Sequence, residues 1–97
     1  MADTLRLDKF MWFARIVKTR ALAQQLAEEG RIRIAGRVAD RAHTPVRVGD
    51  VLSFALRGQV RVIRVEMLPL RRGPAAEARL VYSELPERQL TSEGGGD

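Results

Sequence analysis

Arg6-Leu7-Asp8-Lys9-Phe10-Met11-Trp12-Phe13-Ala14-Arg15, then Lys18-Thr19-Arg20-Ala21-Leu22-Ala23, then Gly30-Arg31-Ile32-Arg33-Ile34-Ala35-Gly36 form the stretch that decides the architecture. Leu7, Phe10, Met11, Ala14 and Val17 recur at helical spacing and make one apolar face. Trp12, Phe13 and Ile16 lie off that face, so this first helix is apolar nearly all round and must pack on more than one side. Thr19 is placed to cap a second helix, Arg20 to Glu29, whose apolar face is Leu22, Ala23, Leu26 and Ala27. Gly30 supplies its stop. The period then changes to two. In Arg31-Ile32-Arg33-Ile34 the isoleucines point one way and the arginines the other. Ala35-Gly36 reads as a tight turn, and Arg37-Val38 begins the return strand. The cations gather at the joints of this small unit, a distribution suited to meeting phosphates on RNA or DNA.

Working outward, Asp40 to Pro45 reads as a loop and Val48-Gly49-Asp50 as a turn. Val51 to Leu56 and Val60 to Val65 read as strands joined at Arg57-Gly58-Gln59. Arg61 and Arg64 fall on opposite faces of the second of these strands, so at most one joins any single patch. Arg71-Arg72-Gly73-Pro74 is a basic loop, Ala75 to Ala78 a single helical turn, and Arg79 to Tyr82 a last short strand. From Pro86 to Asp97 the composition is that of a tail with little to bury.

With 97 residues, one small domain is the default. Cysteine is absent, which excludes disulfides and thiolate metal sites and fits the cytoplasm. No apolar run approaches the roughly 18 residues of a membrane span, and the N-terminus lacks the pattern of a signal peptide. Net charge is +5, but the residues up to Tyr82 hold 16 Lys/Arg against 8 Asp/Glu, a surplus of eight. Fifteen of the 17 cations are arginine, whose planar fork grips phosphate in bidentate fashion and stacks on bases.

Several residues have plain structural readings. Trp12 and Phe13 suit core or inter-segment contact better than base stacking. Asp8 suits a helix cap or an ion-pair partner better than a catalytic acid. His43 has no second histidine or cysteine to complete a metal site, so the expectation is no cofactor and no metal. No nucleophile–base set or phosphate-cradling glycine loop is present, and the expectation is a protein that is not an enzyme.

The residues Arg6-Leu7-Asp8-Lys9, Lys18-Thr19-Arg20, Gly30, the hairpin ending in Gly36 and Val48-Gly49-Asp50 resemble the S4 RNA-binding domain over about Leu5 to Val65. The stretch from Arg6 to Arg15, that from Lys18 to Ala23, and Arg72-Gly73-Pro74-Ala75-Ala76-Glu77-Ala78 resemble the fifteen-kilodalton heat-shock protein family of bacteria. The resemblance implies an α+β fold of S4 type, with two N-terminal helices packed on a small, mostly antiparallel sheet and a short C-terminal extension. It implies an S4 domain over residues 5–67, an extension with a short strand over 68–85 and an acidic tail over 86–97. It also implies a stand-alone binder of rRNA on the large ribosomal subunit, acting in rescue of stalled subunits that still carry peptidyl-tRNA; the chain itself is expected to be a monomer with no membrane or small-molecule partner. Ala35 stands where the family usually has Asn, and Asp40 interrupts the cations Arg37 and Arg41 after the hairpin.

The candidate RNA-binding residues divide into two groups. Arg6, Lys9, Lys18 and Arg20 would grip phosphate, helped by free N–H groups beyond Thr19 at the start of the second helix. Arg31, Arg33 and Arg37 are expected to share the outward face of the hairpin. Arg15, Gln24, Gly36 and Arg41 complete the set. Three rivals stay open: an S4-type binder of tRNA or a small RNA, a DNA-binding regulator, and a subunit needing a partner for catalysis. The DNA reading is disfavoured by Glu28 and Glu29 on the helix that would enter the groove.

Overall fold

The computed structural model describes residues 3–86. The chain runs β1 (Leu5–Arg6), α1 (Leu7–Phe13), α2 (Arg20–Glu28), β2 (Ile32–Ile34), β3 (Arg37–Ala39), β4 (Pro45–Val46), β5 (Val51–Leu56), β6 (Gln59–Val65), α3 (Ala75–Ala78), a 3₁₀ turn (Arg79–Val81) and β7 (Tyr82–Leu85). Five strands form one antiparallel sheet in the order β3-β2-β5-β6-β7, and β1 pairs with β4 in a separate two-stranded ribbon. The α+β expectation agrees with this architecture.

Both helices end in the same way. In α2 the amide of Gly30 bonds Ala27 O and that of Arg31 bonds Leu26 O, with Gly30 at φ 72°. This is a Schellman stop, and glycine tolerates the left-handed turn it needs. In α1 the amide of Arg15 bonds Trp12 O and that of Ile16 bonds Met11 O, with Arg15 at φ 60°. The first helix therefore stops at Phe13 and does not reach Val17 as its periodicity suggested. No glycine or proline marks the stop. Ala14, Ile16 and Val17 are nevertheless buried, because the turn folds them back under the helices.

Leu7, Phe10 and Met11 of α1 and Ala23, Leu26 and Ala27 of α2 pack on Ile32, Leu52, Phe54, Ile63 and Val65 of the sheet. Burying each large side chain contributes about 1.5–3 kcal/mol, so this layer carries the fold. Thr19 caps α2 as expected, its hydroxyl accepting from the Leu22 amide at 3.1 Å.

Two further expectations are corrected. Pro45, expected to close the loop begun at Asp40, is instead in a strand with Val46 that pairs with Leu5–Arg6, and the amides of Leu7 and Asp8 bond Thr44 O and Ala42 O. The start of α1 is thus pinned to the 40–44 segment. The last strand is Tyr82–Leu85, one turn later than its apolar residues indicated, since Arg79–Val81 is used as a 3₁₀ turn. The tail expected over residues 86–97 lies, beyond Pro86, outside the described residues.

Candidate nucleic-acid interface

Asp8 organises the joint between the helices. It has no exposed surface, and it is the buried charged residue among those described. Arg6 donates to it through Nε and a terminal nitrogen, both at 3.0 Å. Arg20 Nε donates at 3.1 Å and Gln24 Nε2 at 2.9 Å. The Lys9 amide adds a fourth donor group at 2.8 Å. Burial opposes ionisation of this carboxyl, but the hydrogen bonds from Arg6, Gln24 and Arg20, with the charge of Arg20, outweigh it and hold the pKa at about 2.

The geometry of that cluster sets what the arginines can do. Arg20 spends only Nε on Asp8, which leaves both terminal nitrogens for a bidentate grip on an external anion. Arg6 spends Nε and one terminal nitrogen, leaving one. Their side chains are 37% and 44% exposed, oriented from beneath and open to solvent above. One buried negative charge serves two arginines, so the joint stays net positive, and exposed Lys18 adds to it.

α2 presents the cluster through a four-residue repeat. Arg20, Gln24 and Glu28 fall at i, i+4 and i+8 and so share one face of the helix. Arg6, Gln24 and Glu28 continue into a polar hollow of ≈ 410 Å³ lined also by Asp40, Arg41, Ala42 and His43. The structure therefore brings Arg6, Arg20, Gln24 and Arg41 of the candidate set into one neighbourhood, with Lys9 present there through its backbone amide. Lys18 and Thr19 lie at the start of the same helix.

The hairpin residues are distributed differently. Ile34 pairs with Arg37 and Arg33 with Val38, and residues opposite one another share a face. Arg33 therefore lies on the face away from the helices, and Arg37 on the face of Ile32 and Ile34. The expectation that Arg31, Arg33 and Arg37 share one outward face is wrong. The physical reason is the two-residue turn, which sets Arg37 directly opposite Ile34 and so on the face of the isoleucines. Arg33 donates to Gly36 O at 3.3 Å, and Arg31 lies 3.5 Å from Glu29.

Arg15 stands apart from the joint. Its Nε donates to Gly73 O at 2.6 Å, while Arg72 Nε donates to Trp12 O at 3.1 Å and lies 5.5 Å over the Trp12 ring. This reciprocal clasp fixes the extension to the end of α1, where cations are favoured by the helix dipole. It also accounts for Trp12 as inter-segment contact. Arg61 is spent at the far end of the sheet on Glu84, at 3.0 and 2.8 Å, and lies over Phe54 and Tyr82.

Asp8 is the ion-pair partner that its place beside Arg6 suggested, but the convergence of Arg20 and Gln24 on it, and the hollow walled by Glu28, Asp40 and His43, are not part of the sequence-derived site. The four-residue spacing of Arg20, Gln24 and Glu28 is the signal in the sequence that these three share one polar face.

The S4 domain family model matches residues 5–52. The chain is 36% identical over 86 residues to the RQC P-site tRNA stabilizing factor of Bacillus subtilis, covering 89% of this chain and 98% of that protein. The chain belongs to the S4-domain family of these proteins. To heat shock protein 15 of Escherichia coli K12 the S4 chain is 35% identical over 86 residues, 89% of its own length but 64% of the relative's. Its fold matches a solved structure of heat shock protein 15 from Vibrio cholerae, described as trimeric, with TM-score 0.81 and 29% identity over 95% of this chain and 92% of that one. The likeness therefore extends past the S4 match into the clasped extension.

Proposed function

We propose that this protein is a non-catalytic RNA binder of the bacterial cytoplasm that docks on the large ribosomal subunit and acts on subunits stalled with peptidyl-tRNA. The observation that carries this reading is Arg20, held at Nε by a buried carboxylate with both terminal nitrogens left for phosphate. The family relationship supports the ribosomal context, since a relative matched over 98% of its length is named for stabilising P-site tRNA.

Recognition would rest on shape and phosphate position, as suits structured RNA whose deep major groove excludes side chains. With about five to seven cations each neutralising a phosphate, affinity should drop roughly five-hundred- to several-thousandfold between 50 and 200 mM salt. Residues 5–67 would form the binding unit and 68–85 a brace on α1. The Asp8 cluster is complete within one chain, so a single protomer suffices for the grip.

The test is sedimentation of tagged protein from cell lysate through sucrose gradients at low and moderate salt. Comigration with free large subunits, enriched after translation is stalled, supports the reading. The name of the Bacillus relative favours one second reading, direct binding of tRNA. Salt-sensitive RNA binding without a large-subunit peak would select it.

A further inference from the structure

The hollow beside the Asp8 cluster carries more than a phosphate grip requires. Its wall holds three cationic or neutral donors, Arg6, Arg41 and His43, and three acceptors, Gln24, Glu28 and Asp40. Gln24 spends its amide nitrogen on Asp8, which leaves its carbonyl oxygen as an acceptor. Glu28 and Asp40 are exposed and, among the described residues, enter no ion pair, although Arg6 and Arg41 line the same hollow.

Two carboxylates on a face meant for RNA weaken it by repelling phosphate. Glu28 is unfavourable for the helix as well. It is the last residue of α2, where the negative end of the dipole disfavours an acid. Its neighbour Glu29 is occupied by Gln25 and Arg31, whereas Glu28 is not. An ionised carboxylate accepts hydrogen bonds and donates none, so a ligand seated in this hollow would meet both acids through its donors.

Resting on the RNA-binding reading above, we propose that this hollow is a subsite for one unpaired guanine nucleotide. The phosphate lies toward Arg6 and Arg41, and the adjacent N1–H and N2–H₂ donors of the base are received by Glu28 and Asp40. Guanine presents two neighbouring donors on one edge, which a carboxylate can take together; uracil presents one, flanked by acceptors that a carboxylate repels. Single-stranded loops, where base edges are free, are where RNA-binding proteins read sequence. The location of the hollow links it to the grip, because Arg6 and Gln24 are members of both. The pinning of the 40–44 segment to the first amides of α1 holds Arg41 and His43 against it.

The test uses four RNA hairpins with one stem and a loop differing at a single unpaired base, G, A, C or U, titrated at low salt with the full chain. Wild type should bind the G hairpin about tenfold more tightly than the U hairpin. Glu28→Gln and Asp40→Asn, both at exposed positions, should each abolish most of that preference while binding to the U hairpin stays equal or strengthens. Tighter binding of all four hairpins by these variants, with the preference unchanged, overturns the subsite and leaves the two acids as simple repulsion. Equal binding of all four by wild type also overturns it while leaving the RNA-binding reading intact. Failure of wild type to bind any hairpin while it still comigrates with large subunits overturns the subsite alone, and failure of both overturns the RNA-binding reading as well.

Discussion

Arg20 Nε of the second helix meets Asp8 Oδ2 of the first at 3.1 Å, and Asp8 has no exposed surface. One contact thus couples the packing of two helices to the aim of a guanidinium that faces outward. Arg6 and Gln24 converge on the same carboxylate, so the charge display at this joint is part of the fold.

Substituting Arg20 by Ala separates the two roles. The side chain is 37% exposed, so stability should fall by only about 1 kcal/mol, since Arg6, Gln24 and the Lys9 amide still satisfy Asp8. RNA affinity should fall about tenfold and the salt slope by roughly one unit. Thermal melts with salt-dependent titrations check both. A melted Arg20→Ala protein would make Arg20 structural and the phosphate patch misdrawn.

Asp8 should govern the acid limb of stability. Its folded pKa of about 2 lies below the ordinary 3.8, so its contribution is fully present above about pH 4 and is lost as pH falls through 2. The size is about 2 kcal/mol. Denaturant titrations near pH 5, 3 and 2 should show that loss in wild type, and Asp8→Asn should flatten it while starting from lower stability. An unchanged acid limb in Asp8→Asn would remove Asp8 as its source.

Ala35 sits at φ 54° in the hairpin turn, followed by Gly36 at φ 83°. A left-handed alanine costs about 1 kcal/mol, which Asn or Gly largely avoids. Ala35→Asn and Ala35→Gly should therefore each raise the denaturation midpoint, Asn by about 0.5–1 kcal/mol. A lowered midpoint in both would mean that the turn is not under strain.

Arg61 offers the opposite control. It bonds Glu84 at 2.8 Å and covers Phe54 and Tyr82, so Arg61→Met should lower stability by about 1 kcal/mol, mainly by loosening β7. RNA affinity should stay within about twofold, because the lost cation is spent at the far edge of the sheet. A tenfold loss of RNA affinity would extend the interface to that edge.

Much of the fold is legible locally. The cap at Thr19, the stop at Gly30, the turn at Ala35-Gly36 and strand β5 over Val51–Leu56 depend on neighbours within a few residues, and residue type and spacing encode them. The end of the first helix was not legible. Arg15 holds a glycine-like conformation that its own type disfavours, and its partner, the Gly73 carbonyl, lies 58 residues away. The pairing of Pro45–Val46 with Leu5–Arg6 was hidden for the same reason, being a contact between segments forty residues apart in a strand too short to show alternation.

By itself the sequence determined the helix pair, the antiparallel hairpins, the basic surplus and the family, because these rest on periodicity, composition and short motifs. Only the tertiary structure decided which cations act together. It gathered Arg6, Arg20 and Gln24 around Asp8, set Arg41 beside them, and sent Arg33 and Arg37 to opposite faces of the sheet. The physical reason is that a charge's role depends on what lies within a few ångströms of it, and those neighbours come from packing and strand register more than from adjacency along the chain.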